Sequence, residues 1–122
     1  MAQSEIIFYK EGEMVPARDW LRKQPQKVQI KCLAYIAQLE AKGHELRRPV
    51  ADFLRDGIYE LRPSCQGVQY RILYFFSGKN IVVVSHGLKK EREVPAVEID
   101  RAIERKKKFE ANPAAHTYKP ER

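Results

Sequence analysis

Residues 57–86 read GIYELRPSCQGVQYRILYFFSGKNIVVVSH and form a dense block of strand formers. It contains three runs rich in β-branched and aromatic residues, separated by two segments typical of tight turns. The runs are Ile58 to Pro63, Val68 to Phe76, and Asn80 to Ser85 or His86. The sequence therefore predicts an antiparallel β-meander at the centre of the chain.

The segment before the meander predicts one strand and two helices. The run Ile6 to Tyr9 is a short strand pattern, and Pro16 is well placed to open a short helix. After Pro25, apolar residues recur at spacings of four, three and four as far as Gly43, which predicts a longer helix. The two helices are joined by a short connection, so we expect them to form an antiparallel hairpin.

The segments that flank the meander complete the expected order of elements. Val50 to Arg55 has the pattern of a weak helical turn. Beyond Pro95, apolar residues at roughly helical spacing predict a last helix that ends near Asn112. The prediction is an α+β domain of order β-α-α-β-β-β-α, with a small antiparallel sheet and its helices on one face.

Composition limits the chain to one domain of a protein that stays in the cytoplasm. Its 122 residues are 43% hydrophobic, which is enough for one core. The longest apolar runs have the length of a strand, and the N-terminus lacks the features of an export signal. We expect a single domain over residues 1–113 and a flexible tail over residues 114–122.

Cysteine and histidine placement gives no metal site. Cys32 and Cys65 are too few for a disulfide scaffold and lack close Cys or His partners. His44 is interpreted as a helix-end residue and His116 as a tail residue. The sequence therefore predicts neither a metal nor a cofactor.

The charge favours a polyanionic partner without identifying it. Lysine and arginine number 23 against 16 acidic residues, a net charge of +7. Positive charge speeds the encounter with phosphate backbones, but a well-solvated basic domain has the same composition. The positions of the charged residues must decide between these readings.

The hairpin register brings charged residues to one side of the predicted sheet. If both turns have an even number of residues, Glu60 lies opposite Arg71, Arg71 lies opposite His86, and Arg62 lies opposite Gln69. The other side of the sheet then carries a long apolar set for the helices to cover. That set is Tyr59, Leu61, Val68, Tyr70, Ile72, Tyr74, Phe76, Ile81 and Val83.

This polar row is either a cross-strand ion-pair ladder or a site for phosphodiester cleavage. Further cationic residues flank it on both sides in the sequence. Arginine suits phosphate, and histidine exchanges a proton near neutral pH, so the row has the parts of a metal-free site. Glu60 either orients Arg71 or serves as a base, and we favour the orienting role. The residues expected to bind substrate are Lys90, Arg92, Arg48 and Glu60.

Four segments, taken in order, resemble the RelE/ParE toxin superfamily and most closely its HigB-like, phage-derived branch. They are GIYELR at 57–62, YRILY at 70–74, VVSHGLKK at 83–90 and PAVEIDRA at 95–102. The resemblance implies a compact fold like that of microbial ribonucleases. It covers the chain from the first predicted strand through the last helix.

The resemblance also implies a function. Members of the superfamily are small toxins of bacterial toxin–antitoxin pairs, and the RelE and HigB branches cut mRNA in the ribosomal A site without a metal ion. The implied catalytic residues are Arg62, Arg71, His86 and Lys89, with His86 as the group that transfers a proton. The implied partners are a helix-turn-helix antitoxin, mRNA and ribosomal RNA.

Two other functions remain open at this point. One is a ParE-like inhibitor that poisons DNA gyrase by binding, and the other is an inactive member that retains only its antitoxin interface. Gyrase poisoning damages DNA without cutting transcripts, and an inactive member does not arrest growth. Expression in a bacterium therefore separates all three functions.

Overall fold

The computed structural model describes residues 3–90 and 92–120. The helices are α1 (Pro16–Arg22), α2 (Gln26–Lys42) and α3 (Ala96–Ala111). The strands are β1 (Glu5–Tyr9), β2 (Ala51–Arg55), β3 (Ile58–Leu61), β4 (Ser64–Cys65), β5 (Val68–Ser77), β6 (Ile81–Lys90) and β7 (Thr117–Tyr118). The predicted order of the main elements is confirmed, with β2, β4 and β7 in addition. None of the helices in the described ranges has the length and apolar character needed to cross a bilayer.

The strands form one mixed sheet of order β2-β3-β5-β6-β1-β7, with β4 paired to β5. The predicted antiparallel meander is confirmed, since β3 pairs with β5 and β5 with β6 in antiparallel register. The expectation of a purely antiparallel sheet is wrong, because β1 runs parallel to β6. A parallel pair needs a long crossover, which the helices and the meander supply between these two strands.

The helices cover both faces of the sheet. Alternate strand residues such as Ile72 and Tyr74 pack in one core with α1 and α2. Their neighbours Leu73 and Phe75 pack in a second core with α3. The α+β class is confirmed, whereas the expectation that all helices share one face is corrected. The central strands are apolar on both sides, so each face needs its own cover.

The turn between β5 and β6 differs from the even-numbered turn that was expected. Ser77 pairs with Ile81, so the loop has three residues and the strand after it is shifted by one position. Val82 and Val84 therefore face α1 and α2, whereas Ile81 and Val83 pack in the α3 core. The prediction that Ile81 and Val83 join the first face is wrong for this reason.

A β-bulge then reverses the shift before His86. Tyr74 pairs with Val84 and Leu73 pairs with His86, which leaves Ser85 as an extra residue on β6. His86 consequently returns to the α3 face, the side on which the sequence places it. Its expected cross-strand partner, Arg71, lies opposite Leu88 instead.

The edge strand β2 replaces the helical turn predicted for Val50 to Arg55. Ala51 pairs with Leu61 and Asp52 pairs with Glu60 along the outer edge of β3. Pairing with an otherwise open sheet edge satisfies the backbone groups of this segment, and that outweighs its weak helical pattern. The strand brings Asp52 next to the predicted polar row.

The chain beyond α3 packs on β1 as far as Tyr118. The expectation of a flexible tail over residues 114–122 stays a prediction. Thr117 and Tyr118 pair with Tyr9 and Phe8 of β1. The Tyr118 ring stacks on Phe8 with ring centroids 6.3 Å apart, and His116 stacks on Tyr9 at 5.0 Å. Aromatic contacts and strand pairing therefore hold this segment on the sheet edge.

Candidate functional site

Five charged side chains gather on the α3 face of the sheet where β2, β3 and β5 meet. Asp52 pairs with Glu60 across two strands, and Glu60 pairs with Leu73 across the next two. The chain around these positions supplies three arginines. We call the set of Arg48, Asp52, Glu60, Arg62 and Arg71 the arginine cluster.

Glu60 lies between two arginines and binds both. Its Oε2 accepts a hydrogen bond from Nη1 of Arg62 at 2.5 Å, and its Oε1 lies 3.3 Å from Nε of Arg71. Arg71 also donates from Nη1 to the carbonyl oxygen of Tyr70 at 2.7 Å. Glu60 and Arg71 are only 3% and 2% exposed. The carboxylate therefore holds two guanidinium groups side by side, one buried and one at the surface.

The buried ion pair is not fully satisfied. Nε of Arg71 and Oε1 of Glu60 are close enough to attract each other, yet neither atom makes a well-aligned hydrogen bond. Burial lowers the pKa of Arg71, the charge of Glu60 raises it, and the nearby charges of Arg62 and Arg48 lower it further. A buried ion pair of this kind adds little net stability, but removing either partner leaves the other charge buried without compensation.

The outer half of the arginine cluster reaches solvent. Nε of Arg48 donates to Oδ2 of Asp52 at 2.8 Å, and the Arg48 side chain is 65% exposed. The hydrogen bond from Arg48 lowers the pKa of Asp52. The cluster contains three guanidinium groups and two carboxylates, so it keeps a net positive charge that an anion can approach from the side of Arg48 and Arg62.

The predicted lysines divide between the two faces of the sheet. Lys90 pairs with Gln69 and lies on the same face as Arg71, whereas Lys89 pairs with Tyr70 and lies on the face of α1. Arg92 is exposed and lines a recess of about 310 Å³ with Lys89. Lys89 and Lys90 lie at the end of the sheet where β5 begins and β6 ends, and Arg92 follows them. We call these three cations the lysine rim.

His86 is held beneath α3, where its hydrogen-bonding contacts are with Ser85, Glu98 and Arg105. Leu73 pairs with Glu60 on one side and with His86 on the other, so a buried leucine separates them. Nε2 of His86 lies 2.9 Å from Oε1 of Glu98, and Nδ1 lies 3.0 Å from Nη1 of Arg105. The structure brings Glu60, Arg62 and Arg71 together, as the sequence predicts, and places His86 elsewhere.

The contacts of His86 define its protonation state. Arg105 donates to Nδ1, so the proton of the neutral ring is on Nε2, where it is donated to Glu98. Burial is the largest cause, followed by the charge of Arg105, and together they lower the pKa of His86 to about 4 although the hydrogen bond to Glu98 opposes the shift. A neutral, 7% exposed imidazole with both nitrogens engaged lacks the access that proton exchange with a substrate requires.

Three partners of His86 were not assigned from the sequence. Ser85, the bulge residue, places its Oγ 2.7 Å from Nδ1 of His86, and Glu98 and Arg105 come from α3. In the sequence, Glu98 and Arg105 resemble the charged residues of any solvated helix face. Only the packing of α3 on this side of the sheet identifies them.

The residues of the described ranges include no group of three or more histidine, cysteine, aspartate or glutamate side chains arranged to hold a metal ion. Residues 19–107 match the model of a family described as phage derived protein Gp49-like (DUF891). This span includes the whole arginine cluster, the lysine rim and His86. No curated protein matches the chain.

Proposed function

Because this chain belongs to the Gp49-like phage-derived protein family, which is a toxin-like family, we propose that it is the toxin of a toxin–antitoxin pair. Its proposed activity is cleavage of mRNA on the ribosome without a metal ion. The observation that carries this proposal is the arginine cluster, with one buried and two accessible guanidinium groups at the basic end of the sheet.

The proposed reaction is an internal transfer within the RNA. A water molecule takes the proton of the ribose 2′-hydroxyl and the 2′-oxygen bonds to phosphorus. The bond from phosphorus to the 5′-oxygen then breaks, and the 5′-oxygen takes a proton from solvent. Negative charge builds on the non-bridging oxygens between these events. Arg62 can donate two N–H groups to those oxygens, and the buried charge of Arg71 lies behind it, so both favour the charged intermediate.

Glu60 has an orienting role in this proposal. A carboxylate buried between two arginines accepts an N–H group of Arg62, attracts the guanidinium group of Arg71, and fixes their spacing. Lys89, Lys90 and Arg92 then contact the flanking phosphates at the rim. Arg62 keeps the catalytic role that the resemblance implies. Arg71 acts from behind it, and Lys89, which lies on the α1 face, is assigned here to binding and not to catalysis.

His86 is better suited to positioning α3 than to transferring a proton. Its ring joins β6 to Glu98 and Arg105 of α3 and is closed to substrate in this arrangement. The general acid or base role assigned to it from the sequence stays a prediction. We propose instead that His86 holds α3 in position on the sheet.

The proposed partner is an antitoxin of the helix-turn-helix type, which the resemblance to the HigB-like branch supports. A segment of the antitoxin rich in aspartate and glutamate would neutralise the basic end of the sheet. Such a contact would block the arginine cluster while the pair is assembled.

Expression in a bacterium tests the proposed activity. The 5′ ends of a reporter mRNA are mapped by primer extension, with the same RNA lacking a start codon as the untranslated control. We expect growth arrest and cuts confined to the translated RNA. Arg62→Ala should abolish the cuts, whereas Lys31→Ala, which removes an exposed charge from α2, should retain them. Growth arrest with DNA damage and no cuts would contradict the proposal and favour gyrase as the target.

A further inference from the structure

A second recess lies beside the arginine cluster, on the edge of the sheet formed by β2. It encloses about 470 Å³. We call it the aromatic recess. Its lining residues are His44, Leu46, Arg47, Asp52, Phe53 and Tyr59.

Rings line the aromatic recess on two sides. Phe53 is 52% exposed and packs edge-on against Tyr59, with centroids 5.1 Å apart. Tyr59 packs in turn on Phe76, and the Phe76 ring also stacks on His44 at 3.6 Å with an interplanar angle of 18°. Phe53 and His44 thus end a continuous series of rings, and both are exposed.

The aromatic recess and the arginine cluster share a boundary. Asp52 lines the recess and also binds Arg48 of the cluster. Arg47, the residue before Arg48, lines the recess and is exposed, and the contacts of its Nη1 are to the carbonyl oxygens of His44 and Leu46. A surface with positive charge on one side and exposed rings on the other therefore continues around the edge of the sheet.

We propose that the aromatic recess binds one nucleobase of a single-stranded RNA whose backbone crosses Arg47 and Arg48 toward Arg62. Single-stranded nucleic acids are bound by this combination, in which cationic groups follow the phosphates and aromatic rings stack on splayed bases. The exposed arginines favour a polyanion over an apolar peptide as the occupant. This inference rests on the proposed function, because it extends the same RNA by one subsite.

The test is binding of a short single-stranded RNA to the full chain. The RNA carries 2′-O-methyl groups, which block cleavage, and a fluorophore for anisotropy. Phe53→Leu keeps an apolar side chain but removes the ring. We expect it to raise the dissociation constant by about fivefold or more. Leu33→Ala, at an apolar position of α2 with 53% exposure, is the matched control and should bind as the wild type does.

A second RNA series identifies the base. One abasic nucleotide is moved along the RNA, and at one position it should cost the wild type as much as Phe53→Leu costs with intact RNA. That abasic RNA and Phe53→Leu together should show no further loss, because both remove the same stacking contact.

Several outcomes would overturn the inference. In one, the wild-type protein does not bind RNA. In another, Phe53→Leu binds RNA as tightly as the wild type. In a third, Phe53→Leu loses the same affinity for intact RNA as for abasic RNA at every position. If Phe53→Leu binds RNA normally but no longer retains a co-expressed antitoxin, the recess is a protein interface. Phe53-dependent binding without any cleavage in bacteria would refute the proposed function and leave this subsite standing.

Discussion

Replacing His86 with glutamine should reduce the dependence of stability on pH. Burial beside Arg105 lowers the pKa of His86 from 6.5 to about 4 in the folded protein. Between these values the unfolded chain binds a proton that the folded chain does not bind. The stability that neutral His86 contributes is therefore fully present above pH 6.5 and is lost as pH falls toward 4. The loss is about 3 kcal/mol in total, or about 1.4 kcal/mol per pH unit.

Urea unfolding from about pH 7.5 to about pH 5 measures this effect, since most carboxyl groups stay ionised over that range. The free energy of unfolding of the wild type should fall steeply as pH decreases. His86→Gln should lower stability at pH 7.5 but flatten the slope below pH 6.5. The slopes are compared, so a general loss of stability in the variant does not affect the reading.

His44→Gln removes an exposed imidazole and is the matched control, which should keep the steep slope of the wild type. Parallel slopes for wild type and His86→Gln would contradict a lowered pKa of His86 in the folded protein. They would mean that His86 takes up its proton equally in the folded and unfolded chains, and the ring would then be accessible for proton transfer.

Three further predictions concern side-chain packing and burial. Glu60→Ala should destabilise the fold by about 3–5 kcal/mol in urea unfolding, because it leaves the charge of Arg71 buried without its partner; a loss well below 1 kcal/mol would contradict the buried pairing. Gly87→Ala should cost about 1–3 kcal/mol, since a Cβ there overlaps the Trp20 ring, and Trp20→Leu in the same chain should recover part of it. Burial raises the pKa of the Cys32 thiol to about 11, so mass spectrometry should find alkylation at the half-buried second cysteine first; equal rates would argue against this packing.

The sequence predicts the polar side of the sheet well, because side chains alternate along a strand. Glu60, Arg62 and Arg71 lie on one face of the sheet for any turn between their strands that has an even number of residues. Gln66 and Gly67 form such a turn, one position away from the expected one. The cluster therefore forms, although Glu60 faces Leu73 directly and reaches Arg71 diagonally.

The placement of His86 depended on features that the sequence does not display. A three-residue turn shifts β6 by one position and the bulge at Ser85 shifts it back, so the predicted side is correct for a different reason. Its burial depends on α3, whose side of the sheet follows from the apolar residues on both faces of β5 and β6. The uninterrupted apolar runs ILYFF at 72–76 and IVVV at 81–84 are the sequence signal that a second face needs cover.

The most direct measurement of the central claim is the rate of mRNA cleavage on programmed ribosomes by purified variants under single-turnover conditions. If the arginine cluster stabilises the charged intermediate and His86 positions α3, Arg62→Ala should lower the rate by on the order of 10² to 10³. His86→Gln should stay within a few-fold of the wild type at about pH 7.5, where the folded ring is neutral. A large loss in His86→Gln with little change in Arg62→Ala would contradict the account.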